Sequence, residues 1–598
     1  MNPDSIFAPR LSMLEQALRA AGIDLFIQPV SDEFQGEYVP AHAARLTYVS
    51  GFTGSAGLGA FWAAPDTARR HVLFTDGRYT IQAARELAGS GITPINSGEQ
   101  SLGHWLSAKA DAPLRIGFDP WLISHAQLQA WQRTTVQASL EWVPIPNPID
   151  AIWADQPGTP ASAVRLHPTM HSGASFAEKR SVLLDLFARH GADACVLTLP
   201  DGINWLTNLR GSDIPFNPLL LGYAILRQSG TLTLYHYPRD FDPELRAYFV
   251  EQTIETAPLD AILNFTAAPL PNGARVLIDP SSAAQGWWQW AERAGWELIA
   301  IDDPTLLPKA CKNTIELDGM RAAHQRDGVA LSKFLCWFDA QVDRKQYPDE
   351  LTVVRVLEEF RARDNRYRGA SFATIAGAGE HGAIVHYRAD AMSNRPVRRG
   401  ELFLLDSGGQ YDDGTTDVTR TLAVGEPSAA MREHFTRVLK GHIALASAVF
   451  PVGTGGIQLD ALARQYLWQA GLDYDHGTGH GVGAFLCVHE GPQRISKKGS
   501  AVPLQPGMIL SNEPGYYEAG SHGIRIENLV AVVEHKPGWR AFETLTLAPI
   551  DTRLVALELL SSDERNWLNA YHRNVCSALE PLMESAEKAW LYRATRAI

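Results

Sequence analysis

The run DSGGQYDDGTTDVTRT, residues 406–421, places two aspartates, Asp406 and Asp417, with ten residues between them. An apolar run, Leu402–Leu405, ends on Asp406, and Gly408, Gly409, Asp412, Asp413 and Gly414 supply turn chemistry. Thr415–Leu422 reads as a β-branched strand carrying Asp417. An antiparallel hairpin with a long turn would hold the two carboxylates across from each other. Carboxylates that close repel and favour a cation between them. A plain hairpin turn is the alternative for this pair taken alone.

Four more stretches weigh on that choice. His386 follows the apolar Gly382–Val385 and is expected at the end of a strand. His476 and His480 lie in Asp475–Gly483, and His489 nine residues beyond His480. Spacing of four suits a helical metal pair, but glycines at 477, 479, 481 and 483 forbid a helix and imply a loop that approaches something closely. Met508–Asn512 reads as a strand running into Glu513. Gly523–Leu529 reads as one further strand, in which period two puts Arg525 and Glu527 on one face and Ile524 and Ile526 on the other. Any single histidine is most simply a hydrogen-bonded core or loop residue. Four of them beside four strand-borne carboxylates weaken that explanation.

Asp406, Asp417, Glu513 and Glu527 carry four negative charges, which two divalent cations balance. Oxygen-rich ligation with one imidazole suits Mn2+, Co2+, Fe2+ or Zn2+. Two such ions roughly 3.5–4 Å apart hold a hydroxide and polarise a carbonyl, which is hydrolytic chemistry.

The elements that must position this constellation are α/β throughout. With 598 residues the chain is too long for one core. Residues 8–29 read as an amphipathic helix, a stop at Gly22 and a strand. The same grammar returns over Phe176–Leu199, with Gly191 and Asp193 matching Gly22 and Asp24. Arg45–Ser55 aligns with Gly202–Ser212, so two copies of one module are expected. A proline-rich linker is expected over Pro144–Pro160, giving domains 1–155, 156–308 and 309–598. Asn313 and Glu316 have capping-box spacing and open the third. Helices over Ser562–Ala597 are expected to serve packing.

The charge sum, 53 − 66 = −13, leaves no basic surplus for nucleic acid. No window approaches the ~20 apolar residues of a membrane span. The N-terminal MNPDSIFAPRLSMLEQALR lacks a basic-then-apolar pattern, so no signal peptide is expected. Five dispersed cysteines without a CxxC pair fit a reducing, cytoplasmic setting.

At these residues the chain resembles the pita-bread metallopeptidases, the group of methionine aminopeptidase, prolidase and aminopeptidase P. The wording HGTGHGVGAFLCVHEGP and NEPGYYEAGSHGIRIEN resembles most the long, three-domain Xaa-Pro aminopeptidases. The resemblance covers essentially the whole chain. It implies two creatinase-like N-terminal domains before a pita-bread catalytic domain, and a homodimer. It implies five ligands to two metal ions, Mn2+ first with Zn2+ or Co2+ as alternatives: Asp406, Asp417, His480, Glu513 and Glu527. It also implies His386 and His489 as catalytic residues that bind no metal, Glu513 as the proton shuttle, and His476 and Arg525 as substrate-binding or site-shaping. The implied substrates are small peptides with proline second, attacked by a metal-activated hydroxide. Tyr387, Phe485 and Tyr516, near the constellation, are candidates either to line a proline pocket or to serve the core. A metal-free binding module of this fold and a creatinase-type amidinohydrolase are disfavoured by the intact five positions. Prolidase, which cuts Xaa-Pro dipeptides, is disfavoured by the doubled N-terminal module.

Overall fold

The computed structural model describes residues 4–109, 113–136, 139–498 and 501–598. The first three residues of the N-terminal stretch considered above lie outside them. The chain packs as two units. One comprises residues up to Leu166, Ala174–Pro215 and Leu219–Thr305; the other comprises His167–Gly173, Phe216–Pro218 and Leu306–Ile598.

Two six-stranded sheets of one design fill the first unit. The order is Ile92–Asn96, His71–Thr75, Leu58–Trp62, Leu25–Pro29, Leu114–Phe118, Leu140–Pro144 in one sheet. In the other it is Ile254–Pro258, Leu232–His236, Gly222–Arg227, Ala194–Leu197, Arg275–Ile278, Glu297–Ala300. In each, the fourth strand pairs antiparallel with the third and parallel with the fifth. The repeated Gly-x-Asp does the same work twice. Asp24 Oδ2 accepts the Arg115 amide at 2.8 Å, while the Arg115 guanidinium donates to Gly22 O at 2.6 Å and Glu141 at 3.1 Å. Asp193, Gly191 and Glu297 hold Arg275 through the same set of bonds. Gly191 closes its helix with φ +59°, and a Cβ there would stand 2.5 Å from the Arg275 guanidinium. The expected linker is partly regular structure: Asn147 caps a helix over Pro148–Ile152, its side chain accepting the Ile149 amide at 3.0 Å. Proline at the first helical position is pre-set for that geometry.

The second unit contains a 30-residue helix, Thr314–Asp343, started by the expected Asn313–Glu316 capping box. Its buried Leu331, Leu335 and Phe338 join a core with the strand Leu402–Ser407 and the helix Ser562–Leu579. The strands Ile375–Ala378, Leu402–Ser407 and Val418–Ala423 form one sheet. A six-stranded sheet contains Trp539–Thr544, Asn528–Lys536, Ile509–Asn512, Gly479–Gly481 and Glu490–Ile495 in that order, with Phe450–Pro451 at its edge. Among the described residues, no helix is long and apolar enough to cross a membrane.

Two fully buried histidines tie helices to this framework and must stay neutral. His442 Nδ1 donates to Asn512 O at 3.1 Å and Nε2 accepts from Asn528 at 3.2 Å. His572 Nε2 accepts the Ile550 amide at 3.1 Å. Burial, then the Arg420 guanidinium, pushes their pKa values down to about 3 and about 4. Below the unfolded value of about 6.5 the unfolded chain takes up protons that the folded chain refuses, so stability falls as pH falls. Roughly 1.4 kcal/mol per pH unit for each histidine gives about 4 kcal/mol between pH 6.5 and 5. Thermal melts across that range are expected to show a falling midpoint, with a shallower fall in His572→Gln. An unchanged slope in that variant would exclude His572 as a source.

Candidate active site

Two polar groups aim the aspartate and glutamate carboxylates. The antiparallel pair Leu402–Ser407/Val418–Ala423 forms as expected, but its register sets Asp406 opposite Thr419 and not opposite Asp417. Asp417 stands just before its strand rather than within one. The expected Thr415–Leu422 strand is broken: Gly414–Thr415 pairs with Gly409–Tyr411 in another sheet, and Val418 starts afresh. The Thr416 side chain accepts the Gly409 amide at 2.9 Å and bends the chain there. The Asp417 side chain thereby joins the site from beside Asp406 instead of directly across it.

The expected single strand Gly523–Leu529 is likewise two. His522–Arg525 pairs with Gly515–Glu518, while Asn528–Lys536 joins the six-stranded sheet. At the break the Glu527 amide donates to Thr419 O at 3.2 Å and the Ile526 amide to Pro514 O at 3.3 Å. Arg420 NH1 donates to Glu527 O at 2.6 Å, and its NH2 reaches Tyr571 OH of the C-terminal helix at 2.9 Å. Ile524 and Ile526 enter the core as expected. Arg525 and Glu527 both reach the carboxylate cluster.

His480 sits in a short strand, Gly479–Gly481, not a free loop; His476 is in the loop before it. The His480 Nδ1–H donates to Gly481 O at 3.0 Å, which leaves the Nε2 lone pair facing Asp417 Oδ2 and Glu513 Oε1, each 3.5 Å away. Fixing one ring nitrogen on a carbonyl so that the other is free is how metal-ligating histidines are oriented. Asp417, His480 and Glu527 each offer a ligand atom within 4.8 Å of the others.

Asp406 Oδ2 accepts Arg525 NH2 at 2.6 Å and Glu527 Oε2 accepts the Thr419 hydroxyl at 2.8 Å. Their other oxygens, Asp406 Oδ1 and Glu527 Oε1, are buried with no hydrogen-bond partner. Burial first, then the neighbouring Asp406 and Glu513, pushes Asp417 well above the usual carboxylate range. Burial, with Asp417 and Asp406 next, does the same to Glu527. Burial also raises Glu513. Orphaned buried oxygens crowded with like charge are an expensive arrangement unless cations bind. The donor set therefore fits a pair of hard or borderline divalent ions.

The remaining expected residues surround this cluster. His489 stands edge-on to His480, ring centres 4.3 Å apart. His476 Nδ1 donates to Gly477 O at 2.8 Å, and its Nε2 accepts Tyr517 OH at 2.8 Å; that hydroxyl in turn accepts Arg525 NH1 at 2.6 Å. His386 is half-buried in a turn after the 3-10 helix Gly379–Ala383, not at the end of a strand. Buried Glu350 imposes the turn by accepting the Ala378 amide (2.9 Å), His381 Nδ1 (2.8 Å) and Tyr387 OH (2.9 Å). Tyr387 is thus committed to Glu350, Phe485 is 1% exposed, and Tyr516 packs on His434, ring centres 4.4 Å apart. None of the three presents the open face expected of a proline pocket.

Sequence reading missed Tyr517, Thr419, Glu350 and the partners of Glu490. Glu490, next to His489, is fully buried; Lys309 donates to it at 2.7 Å and Lys312 donates to its other oxygen. Burial alone would raise its pKa, yet the two ammonium groups hold it below the usual carboxylate range. Period-two alternation places Tyr517 on the Arg525 face of its hairpin and was the available signal. Nothing local connects Lys309 to a glutamate 181 residues away.

Four buried or half-buried carboxylates and an oriented imidazole meet on this α/β framework, an arrangement suited to a metal-dependent hydrolase. Family models match consecutive segments. Residues 10–152 and 155–316 match creatinase/prolidase N-terminal domains, 318–534 metallopeptidase family M24, and 538–598 the C-terminal region of peptidase M24. The chain belongs to metallopeptidase family M24. It is 40% identical to "Aminopeptidase P2" of Arabidopsis thaliana, over 96% of this chain and 86% of that one. A solved X-prolyl aminopeptidase from Caenorhabditis elegans, described as a cytosolic enzyme with a di-nuclear active site, superposes with TM-score 0.93 at 32% identity, covering 99% of both chains. An Xaa-Pro dipeptidase from Bacillus anthracis shares the fold over 63% of this chain and 99% of its own, at TM-score 0.51 and 23% identity.

Proposed function

We propose that the chain is an Xaa-Pro aminopeptidase that releases the N-terminal residue of small peptides with proline second. The observation that carries this is His480: its proton is anchored on Gly481 O and its free Nε2 is turned into a buried carboxylate cluster with two orphaned oxygens. Asp406, Asp417, His480, Glu513 and Glu527 would hold two divalent ions, Mn2+ first, Zn2+ or Co2+ as alternatives. When bound, the ions supply Lewis acidity toward the scissile carbonyl and toward water.

The chain's own residues do the rest. Arg525 and Thr419 clamp the outer oxygens of Asp406 and Glu527, which fixes where the inner ones point. Glu513, its carboxyl 18% exposed, takes a proton from the attacking water and delivers it to the departing nitrogen. That delivery matters for proline, whose nitrogen leaves as a secondary amine and cannot depart as an anion. His489 donates to the developing oxyanion, and His386 hydrogen-bonds the scissile region. His476 and Arg525, joined through Tyr517, bind the substrate's end and shape the site. The free α-amine sits near the carboxylates, which makes the enzyme an exopeptidase. We assign it as a cytosolic homodimer, in line with the description of the C. elegans neighbour as cytosolic.

Chelation followed by dialysis tests this reading. The stripped protein is expected to be inactive on a proline-second tripeptide and to regain its rate as Mn2+ reaches two ions per chain by elemental analysis. Full activity of the stripped protein would exclude the reading.

A further inference from the structure

The hairpin that carries Tyr517 and Arg525 has a second face. Its register sets Glu518 opposite His522 and Tyr516 opposite Ile524, while Tyr517 pairs with Gly523 and Arg525 with Gly515. Directly paired residues share a face, and alternate residues point to opposite sides. Tyr517 and Arg525 therefore look toward the carboxylate site, and Glu518 and His522 look away from it. Against that outer face lies the helix Ala429–Ala446, which brings His434.

His434 Nδ1 and His522 Nε2 are 3.3 Å apart. Two imidazole nitrogens on one tetrahedral ion, at about 2.0–2.1 Å each, stand about 3.3 Å from one another. One ligand atom from each of His434, Glu518 and His522 falls within 4.8 Å of the other two. The far nitrogen of His522, Nδ1, has the Ser521 hydroxyl at 2.8 Å and the Glu518 carboxylate at 3.5 Å. Donating that proton to the Ser521 hydroxyl orients the Nε2 lone pair toward His434, the arrangement found behind metal-ligating histidines, and leaves Glu518 to turn from Nδ1 toward the ion. Glu518 is exposed, which leaves its carboxylate free to swing and one coordination position open to solvent.

We propose that His434, His522 and Glu518 form a third divalent-metal site, separate from the carboxylate cluster, that takes a borderline transition ion such as Zn2+. Two imidazoles and one carboxylate suit Zn2+ better than Mn2+, in contrast to the oxygen-rich cluster on the hairpin's other face. The ion would pin the hairpin to the helix Ala429–Ala446 and so stiffen the strand pair from which Tyr517 and Arg525 project.

The test uses the full chain, stripped and then equilibrated with ZnCl2, with ions counted after removal of free metal. Wild type is expected to hold three ions per chain. His434→Ala and His522→Phe are expected to hold two, with their Mn2+-supported activity in zinc-free buffer unchanged. Amide exchange over residues 515–525 is expected to slow when Zn2+ is added to wild type and not in His434→Ala. A plain His434–His522 hydrogen bond gives two ions in wild type, and that count overturns the proposal. So does a third ion retained by both variants.

Discussion

Glu527→Gln is expected to lose at least one of its two metal ions and at least about 10^3-fold in kcat/KM, or roughly 4 kcal/mol of transition-state stabilisation. Asp406→Asn should do the same. The structure adds an expectation of opposite sign. In the stripped protein Glu527 is a buried carboxylate whose pKa is pushed up by burial and by Asp417, Asp406 and Glu513. A carboxylate with a raised folded pKa destabilises the folded state at all pH values above its unfolded value, near 4.3. Glutamine keeps the bond from Thr419 and removes the charge. Glu527→Gln without metal should therefore melt higher than wild type without metal, while the stabilisation gained on adding Mn2+ shrinks. Ion counts, kinetics and melts with and without Mn2+ read all three quantities. Normal metal content at normal rate would remove Glu527 from the ligand set. A lower melting point in the stripped variant would mean that its charge is compensated by the protein itself.

The carboxylates and histidines of this cluster were legible because each carries its chemistry in its type and each sits beside a recognisable strand or glycine run. The repeated N-terminal module was legible for a similar reason: Gly22/Asp24 and Gly191/Asp193 are short-range motifs, and the structure shows both pairs holding an arginine. What sequence misplaced was where strands change sheets. Gly523–Leu529 alternates as far as Glu527 and then has Asn528 where an apolar residue is due; the chain leaves one sheet and enters another at Ile526–Glu527, where Thr419 O and Pro514 O take the amides. Periodicity records which residues are buried, not which neighbour they pair with, so one polar residue out of step does not by itself reveal a change of sheet. His386 was misplaced for a related reason. Glu350, 36 residues upstream, satisfies the groups that would otherwise have extended a strand. The groups that hold the site in shape, Lys309 and Lys312 on Glu490 and Tyr517 between His476 and Arg525, act over distances or through residue types that point equally to packing.

Arg-Pro-Pro is expected to exceed both Met-Ala-Ser and Gly-Pro in kcat/KM at saturating Mn2+, each by tenfold or more, about 1.4 kcal/mol. The argument starts from proline. A tertiary amide has no N–H, so a site that relies on that donor to orient the scissile bond rejects it. A site that accepts it must recognise the ring and the carbonyls on either side instead. Met-Ala-Ser lacks the ring, and it offers an N–H donor in its place. The same five ligand positions serve a methionine aminopeptidase reading, for which Met-Ala-Ser would be best, so the metal site alone does not decide between them. Gly-Pro tests the other boundary. An exopeptidase for tripeptides and longer chains gains binding from the residue after proline and meets there an amide rather than a carboxylate. The dipeptide ends in a carboxylate where the longer peptide continues, and so forfeits those contacts. Measured rates for the three peptides under one condition separate the readings. If Gly-Pro leads by tenfold, the chain is a dipeptidase with the same ligands; if Met-Ala-Ser leads, the proline assignment fails while the metal assignment stands.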